Sequence, residues 1–208
     1  MGATNSDIYG LLASVLQRTS LLWNCSNGGS LPDIQRLLEA KADVHEADNT
    51  GLSGLQWAAR LGYSDVLSAL LEHKADVNTK DSHGQSALMI GATCGHQEVV
   101  LRLLKAGAEL HVEDDQGRSA LVLATEASRL SVLPLLLEAK AQVNVSNQEG
   151  WTPLIIAAYK GDAQIVKLLA EHGADVNANV DGETCLMMAC QDQLNHGSFI
   201  SFFLSLFL

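Results

Sequence analysis

A five-residue motif returns along this chain at a fixed step. Gly51-Leu52-Ser53-Gly54-Leu55 reappears as Gly84-Gln85-Ser86-Ala87-Leu88, Gly117-Arg118-Ser119-Ala120-Leu121 and Gly150-Trp151-Thr152-Pro153-Leu154, 33 residues apart each time. A fifth copy, Gly182-Glu183-Thr184-Cys185-Leu186, arrives after 32. Paired small residues follow in register: Ala58-Ala59, Gly91-Ala92, Ala124-Thr125 and Ala157-Ala158. Next come Gly62, Gly95, Ser128 or Gly161, and then an apolar stripe that closes on leucine. Ala-Asp-Val-Asn or a relative ends each unit, as at Ala75 to Asn78 and Ala174 to Asn177. A period of this length marks one supersecondary unit copied along the chain. Each copy is too small to bury its own apolar face, so neighbours must stack into a solenoid.

The spacing assigns structure within a unit. Glycine before Ser or Thr suits a tight turn needing positive φ, followed by a helix N-cap. Pro153 falls where a first-turn proline is tolerated. About eight residues on, Gly62, Gly95 and Gly161 read as C-caps, which leaves a two-turn inner helix whose small residues permit close approach. Val66, Leu67, Leu70 and Leu71 then share one face of an outer helix, as do Val99, Val100, Leu103 and Leu104.

These residues make the chain resemble the ankyrin repeat family. Gly150 to Asn177, GWTPLIIAAYKGDAQIVKLLAEHGADVN, is similar to the family pattern nearly throughout. The resemblance covers residues 20–197: a partial unit at 20–45, full units at 46–78, 79–111, 112–144 and 145–177, and a partial unit at 178–197. It implies an all-α ankyrin-repeat solenoid of stacked helix-turn-helix units with β-hairpin loops. The family's usual histidine is absent, replaced by Gln56, Met89, Val122, Ile155 and Met187. Lys41, Lys74 and Lys140 stand where a glycine usually ends the outer helix. A left-handed lysine costs about 1 kcal/mol relative to glycine, so the array is expected to be less stable than a consensus one.

Composition excludes several function classes. Thirteen Lys and Arg against 24 Asp and Glu give a net charge of −11, a poor match to a phosphate backbone; no nucleic-acid partner is expected, and a basic partner surface suits the charge. The sequence contains no G-x-x-x-x-G-K-[ST], G-x-G-x-x-G, H-E-x-x-H or G-x-S-x-G run. Catalytic residues, metal ligands, cofactors and a small-molecule substrate are therefore not expected, and the chain reads as a non-enzyme. Cys25, Cys94, Cys185 and Cys190 fit no common zinc spacing and read as reduced thiols. Glu113-Asp114-Asp115 reads as a solvated loop. With no basic region before an apolar run at the N-terminus, the expected compartment is cytoplasmic, with the nucleus as the alternative.

The two ends carry separate signals. Ile8, Leu11, Leu12, Val15 and Leu16 predict an amphipathic capping helix within residues 1–19. Met1-Gly2-Ala3-Thr4-Asn5-Ser6 matches a myristoylation pattern at Gly2, although no second membrane signal accompanies it, and membrane contact is not expected. Residues 198–208 form an apolar tail holding all 4 phenylalanines, too short for a transmembrane helix. A degenerate outer helix, the end of a truncated coding sequence and an anchor remain three readings of it.

Function follows from the resemblance. It implies a monomeric scaffold or adaptor that binds a partner protein in the concave groove; the alternative is a regulatory or targeting fragment of a larger ankyrin-repeat enzyme such as a kinase, acyltransferase or ubiquitin ligase. Groove positions fall on hairpin tips and inner helices. Trp151 and Tyr159 are the large side chains there and form the expected hot spot. Arg118 and Lys160 make its polar rim, with Gln148, Glu149, His83, Gln85 and Arg60 at further groove positions. Trp57 and Trp23 are expected to pack between units. The resemblance also marks Asn78, Asn144 and Asn177, which close their units, as substrates for an asparaginyl hydroxylase.

Overall fold

The computed structural model describes residues 20–185 and residue 187. The expected helix at 6–18, Gly2 and the tail at 198–208 lie outside the described residues.

Ten helices follow in inner–outer pairs among the described residues. They are α1 (Leu21–Ser26) with α2 (Leu31–Glu39), α3 (Gly54–Leu61) with α4 (Ser64–Glu72), α5 (Ala87–Cys94) with α6 (Gln97–Lys105), α7 (Ala120–Glu126) with α8 (Leu133–Glu138), and α9 (Pro153–Tyr159) with α10 (Ala163–Glu171). Inner helices stack α1 on α3, α3 on α5, α5 on α7 and α7 on α9; outer helices stack α2 on α4, α4 on α6 and α6 on α8. The unit at 20–45, expected to be partial, has both of its helices.

The expected start signals operate in register. Ser53, Ser86, Ser119 and Thr152 accept the amide hydrogens of Gln56, Met89, Val122 and Ile155, and Ser20 does the same for Trp23. Each such cap stabilises its helix by about 1 kcal/mol. The paired small residues are fully buried: Ala58, Ala59, Ala92, Ala124, Ala157 and Ala158 are 0% exposed. A side chain at Gly91 would meet Val99 at 3.0 Å, so the small residue sets the inner–outer helix distance. The core runs unbroken through the array, carrying Leu67, Leu70, Val100, Leu103, Leu136 and Leu169 from successive outer helices.

Positive φ falls where the motif requires it. Gly62 and Gly95 end their helices at φ 78° and 82°, and Ser128 holds the same register at φ 53°. Lys41, Lys74 and Lys140 are left-handed at φ 62°, 65° and 71°, where Gly107 and Gly173 serve the other units. The residue after each inner-helix cap folds back on the unit before it. His96 meets the Arg60 carbonyl with its Nε2 at 3.1 Å, and Arg129 donates from Nε to the Thr93 carbonyl at 2.8 Å. Helix α8 starts late because Pro134 is tolerated only in a first turn.

The loops are less sheet-like than expected. Single bridges join Ala47 to Ser53 and Lys80 to Ser86. Among the described residues, a two-residue ladder forms only between β1 (Asn179–Val180) and β2 (Glu183–Thr184). There the missing residue leaves a tight Asp181-Gly182 turn with φ 53° and 83°, the positive pair that a two-residue hairpin needs.

Candidate functional site

A repeated side chain sets the groove's rail. Asp48 Oδ1 accepts the Thr50 and Leu52 amides, Asp81 Oδ1 those of His83 and Gln85, Asp114 Oδ1 those of Gln116 and Arg118, and Asn147 Oδ1 those of Glu149 and Trp151. This Asx turn satisfies the tip from within, which is why little strand ladder is needed. Adjacent tips then bond to each other: Ser82 N to Thr50 O, Asp115 N to His83 O and Gln148 N to Gln116 O, at 3.0–3.1 Å. The register position Trp57, Ile90, Leu123, Ile156 faces these tips from the inner helices. Open depressions lie at three of its four members.

One depression, of about 290 Å³, holds the expected hot spot. Trp151 and Tyr159 line it with Glu149, Lys160, Glu126 and Ile156. The two rings meet edge to face, with centroids 5.4 Å apart and planes at 79°, a favoured aromatic geometry. Tyr159 is 52% exposed, whereas Trp151 is half-buried and packs on the core. Lys160 donates its Nζ to the Glu126 carbonyl. Burial raises the Glu126 carboxyl above its usual range, outweighing the lowering pull of Arg118.

The next depression, of about 180 Å³, brings Arg60 and Gln85 together with Thr93, Cys94, Ile90 and Asp81. Of the remaining expected groove residues, His83 is exposed at its hairpin tip. Gln148 is committed to the loop stack, donating from Nε2 to the Asp115 carbonyl at 2.9 Å.

Arg118, expected at the rim, is tied into its own loop. Its Nε and Nη2 both reach Asp114 Oδ2, at 2.9 and 2.8 Å, and its Nη1 lies 3.3 Å from Glu126. Asp114, expected in a solvated loop, has a side chain only 1% exposed. Burial works to raise its carboxyl, but hydrogen bonds from Arg118 and Gln116 and the guanidinium charge hold it below the usual range. The pair is loop structure, built around a buried charge that needs a partner; Glu-Asp-Asp spacing alone gave no sign of it.

Trp23 and Trp57, expected to pack between units, also reach the surface. Trp57 packs partly on the core, and both half-buried indoles, from consecutive units, also line an open depression of about 440 Å³, together with Leu22, Ser20, Glu46 and Asp48. Trp57 donates from Nε1 to Asp48 Oδ2 at 2.9 Å, and the Arg60 guanidinium lies 5.4 Å from its ring centroid. Burial works to raise the Asp48 carboxyl, but hydrogen bonds from Thr50, Trp57 and Leu52 hold it below the usual range. The signal for this site was an aromatic at the tip-facing register position that Ile90 and Ile156 share.

The closing asparagines lie elsewhere. Asn78 Oδ1 accepts the Glu109 amide at 2.9 Å and Asn144 Oδ1 the Asp175 amide at 2.8 Å, tying each unit to the next. Asn177 is exposed, with its amide bonded to Asp175 Oδ1.

Among the described residues, no helix is long and apolar enough to cross a membrane. A comparison with curated proteins finds no match. A family model described as ankyrin repeats (3 copies) matches residues 21–114 and 121–205, most of the chain. With the stacked helix pairs and the 33-residue register, that match shows that this chain belongs to the ankyrin repeat family.

Proposed function

We propose that this chain is a protein-interaction scaffold whose partner docks in the groove between hairpin tips and inner helices. Ankyrin arrays are generally protein–protein interaction modules. The observation that carries the reading is the Trp151–Tyr159 pair: one ring is anchored on the core, the other is half in solvent, and both line one open depression. Large aromatics at such a site concentrate binding energy, and the anchored ring loses little freedom on binding. Glu149, Lys160, Arg60 and Gln85 supply polar contacts along the same face.

The experiment is site-directed photo-crosslinking in the cell of origin. Benzoylphenylalanine replaces Glu149 at the groove in one variant and Lys167 on the outer helix in another. The reading predicts one covalent partner band from position 149 and none from 167. Equal bands from both positions, or a band from 167 alone, contradict it.

A further inference from the structure

The depression around Trp23 and Trp57 has a chemistry of its own. In the four later units the register position that Trp23 occupies is held by Gln56, Met89, Val122 and Ile155, all 0–1% exposed. At this end of the described array the position is half-buried and carries an indole. Trp57 comes from the neighbouring inner helix, so two aromatic walls from consecutive units border one space of about 440 Å³. Among the described residues, both ionisable side chains that line that space, Glu46 and Asp48, are acidic. Ser20 Oγ donates to Glu46 Oε2 at 3.0 Å and Trp57 Nε1 to Asp48 Oδ2 at 2.9 Å; each carboxylate has acceptor capacity left.

The chain already demonstrates the interaction such a space favours. Arg60 places its guanidinium 5.4 Å from the Trp57 ring centroid, within cation–π range. Arg60 lines the neighbouring depression and not this one. An indole face attracts cations, two carboxylates beside it add Coulombic attraction, and a partly desolvated pocket strengthens both. No cation stands among the described residues that line it, so the Trp23 face and the two carboxylates have no cationic partner among them.

We infer that this pocket is a recognition subsite for a basic side chain, an arginine or lysine, on the partner polypeptide. The inference rests on the groove-binding reading and adds the charge of the segment bound at this end. It fits a chain with a net charge of −11, which steers basic partners toward itself.

The test uses the full chain labelled with nitrogen-15. Its 3 tryptophans give one indole N–H signal each, assigned with the single Trp→Phe variants. The probe is Nα-acetylarginine amide; its neutral isostere, Nα-acetylcitrulline amide, is the control at matched ionic strength. The expected result is a saturable shift of the Trp23 and Trp57 signals with the arginine probe, a weaker response to citrulline, and little change at Trp151. Asp48→Asn keeps the Asx turn, as Asn147 does in its own unit, and with Glu46→Gln it should weaken arginine binding by roughly fivefold or more. Equal responses to arginine and citrulline overturn the inference. Silence of Trp23 and Trp57, the outcome if residues 1–19 of this chain fill the pocket, overturns it too. So do concentration-dependent shifts without probe, the mark of a second copy in the site. A partner that still crosslinks at position 149 in any of these cases leaves the groove reading standing and this subsite rejected.

Discussion

Arg118 closes on Asp114 with two hydrogen bonds to a single oxygen, Oδ2, at 2.8 and 2.9 Å. The carboxylate beneath is all but sealed from solvent, and its other oxygen holds the hairpin's Gln116 and Arg118 amides. Removing the guanidinium strands a buried charge. Arg118→Ala should therefore cost about 2 kcal/mol and lower the melting temperature by roughly 4–8 °C. Thermal unfolding followed by circular dichroism checks this. A melting point unchanged within error would return Arg118 to the role of a free rim residue.

The same pair sets part of the acid response. Asp114 sits below its ordinary 3.8 in the folded chain despite burial, because Arg118 and Gln116 hydrogen-bond it and Arg118 attracts its charge. A depressed folded-state value gives stability that is present above the unfolded value and is lost as pH falls through the folded one. Glu126 runs the other way: burial raises it above 4.5, so protonation favours the fold as pH drops from that raised value toward 4.5. Urea midpoints measured across this range should fall below about pH 4 in the parent chain and fall less steeply in Asp114→Asn. Identical acid limbs for the two proteins would contradict the assignment.

Lys41, Lys74 and Lys140 hold left-handed backbone that Gly107 and Gly173 adopt without penalty. Glycine at each of the three should stabilise the array by roughly 1 kcal/mol, offset in part by the freedom it adds to the unfolded chain. Lys167→Gly, inside α10, should cost about 1 kcal/mol. Chemical denaturation of the four single variants decides this, and a loss of stability at the three left-handed sites would overturn it.

Most of the architecture was legible because ankyrin units repeat their instructions. Ser53, Ser86 and Ser119 each mark a helix start, and Ala58-Ala59 and its copies mark each close approach. What escaped were interactions between residues whose side chains meet only after stacking. Gln56 looked like a departure from the family's histidine. In the structure it is fully buried and donates to the Thr79 and Gln85 carbonyls of the next hairpin, at 3.3 and 2.7 Å. Trp151 and Tyr159 were picked out together by size and position, and in the structure their rings meet edge to face. The groove-facing side of Trp57 escaped because an aromatic on a two-turn helix has the same spacing whether or not part of its ring turns toward the hairpin tips.

The thiols give a separate handle on the groove. Burial pushes Cys25 up to about 12 and Cys185 to about 11, so neither offers thiolate at pH 8. Cys94 is half-buried and lines the depression beside Arg60 and Gln85. Iodoacetamide applied to the native chain, followed by peptide mass analysis, should label Cys94 well ahead of Cys25 and Cys185. Partner binding should slow the Cys94 reaction. Rapid labelling of Cys25 in the folded chain would contradict the packing of α1.

On the groove reading, Trp151 and Tyr159 bind the partner rather than merely fold. Calorimetric titration of the crosslinked partner, once purified, into the parent chain and into Trp151→Ala and Tyr159→Ala tests it, with melting temperatures measured alongside. Truncating a hot-spot aromatic costs about 2 kcal/mol or more, so affinity should fall at least roughly tenfold in each variant while melting changes little for the exposed Tyr159. Unchanged affinity in both variants, with both still folded, would contradict the account.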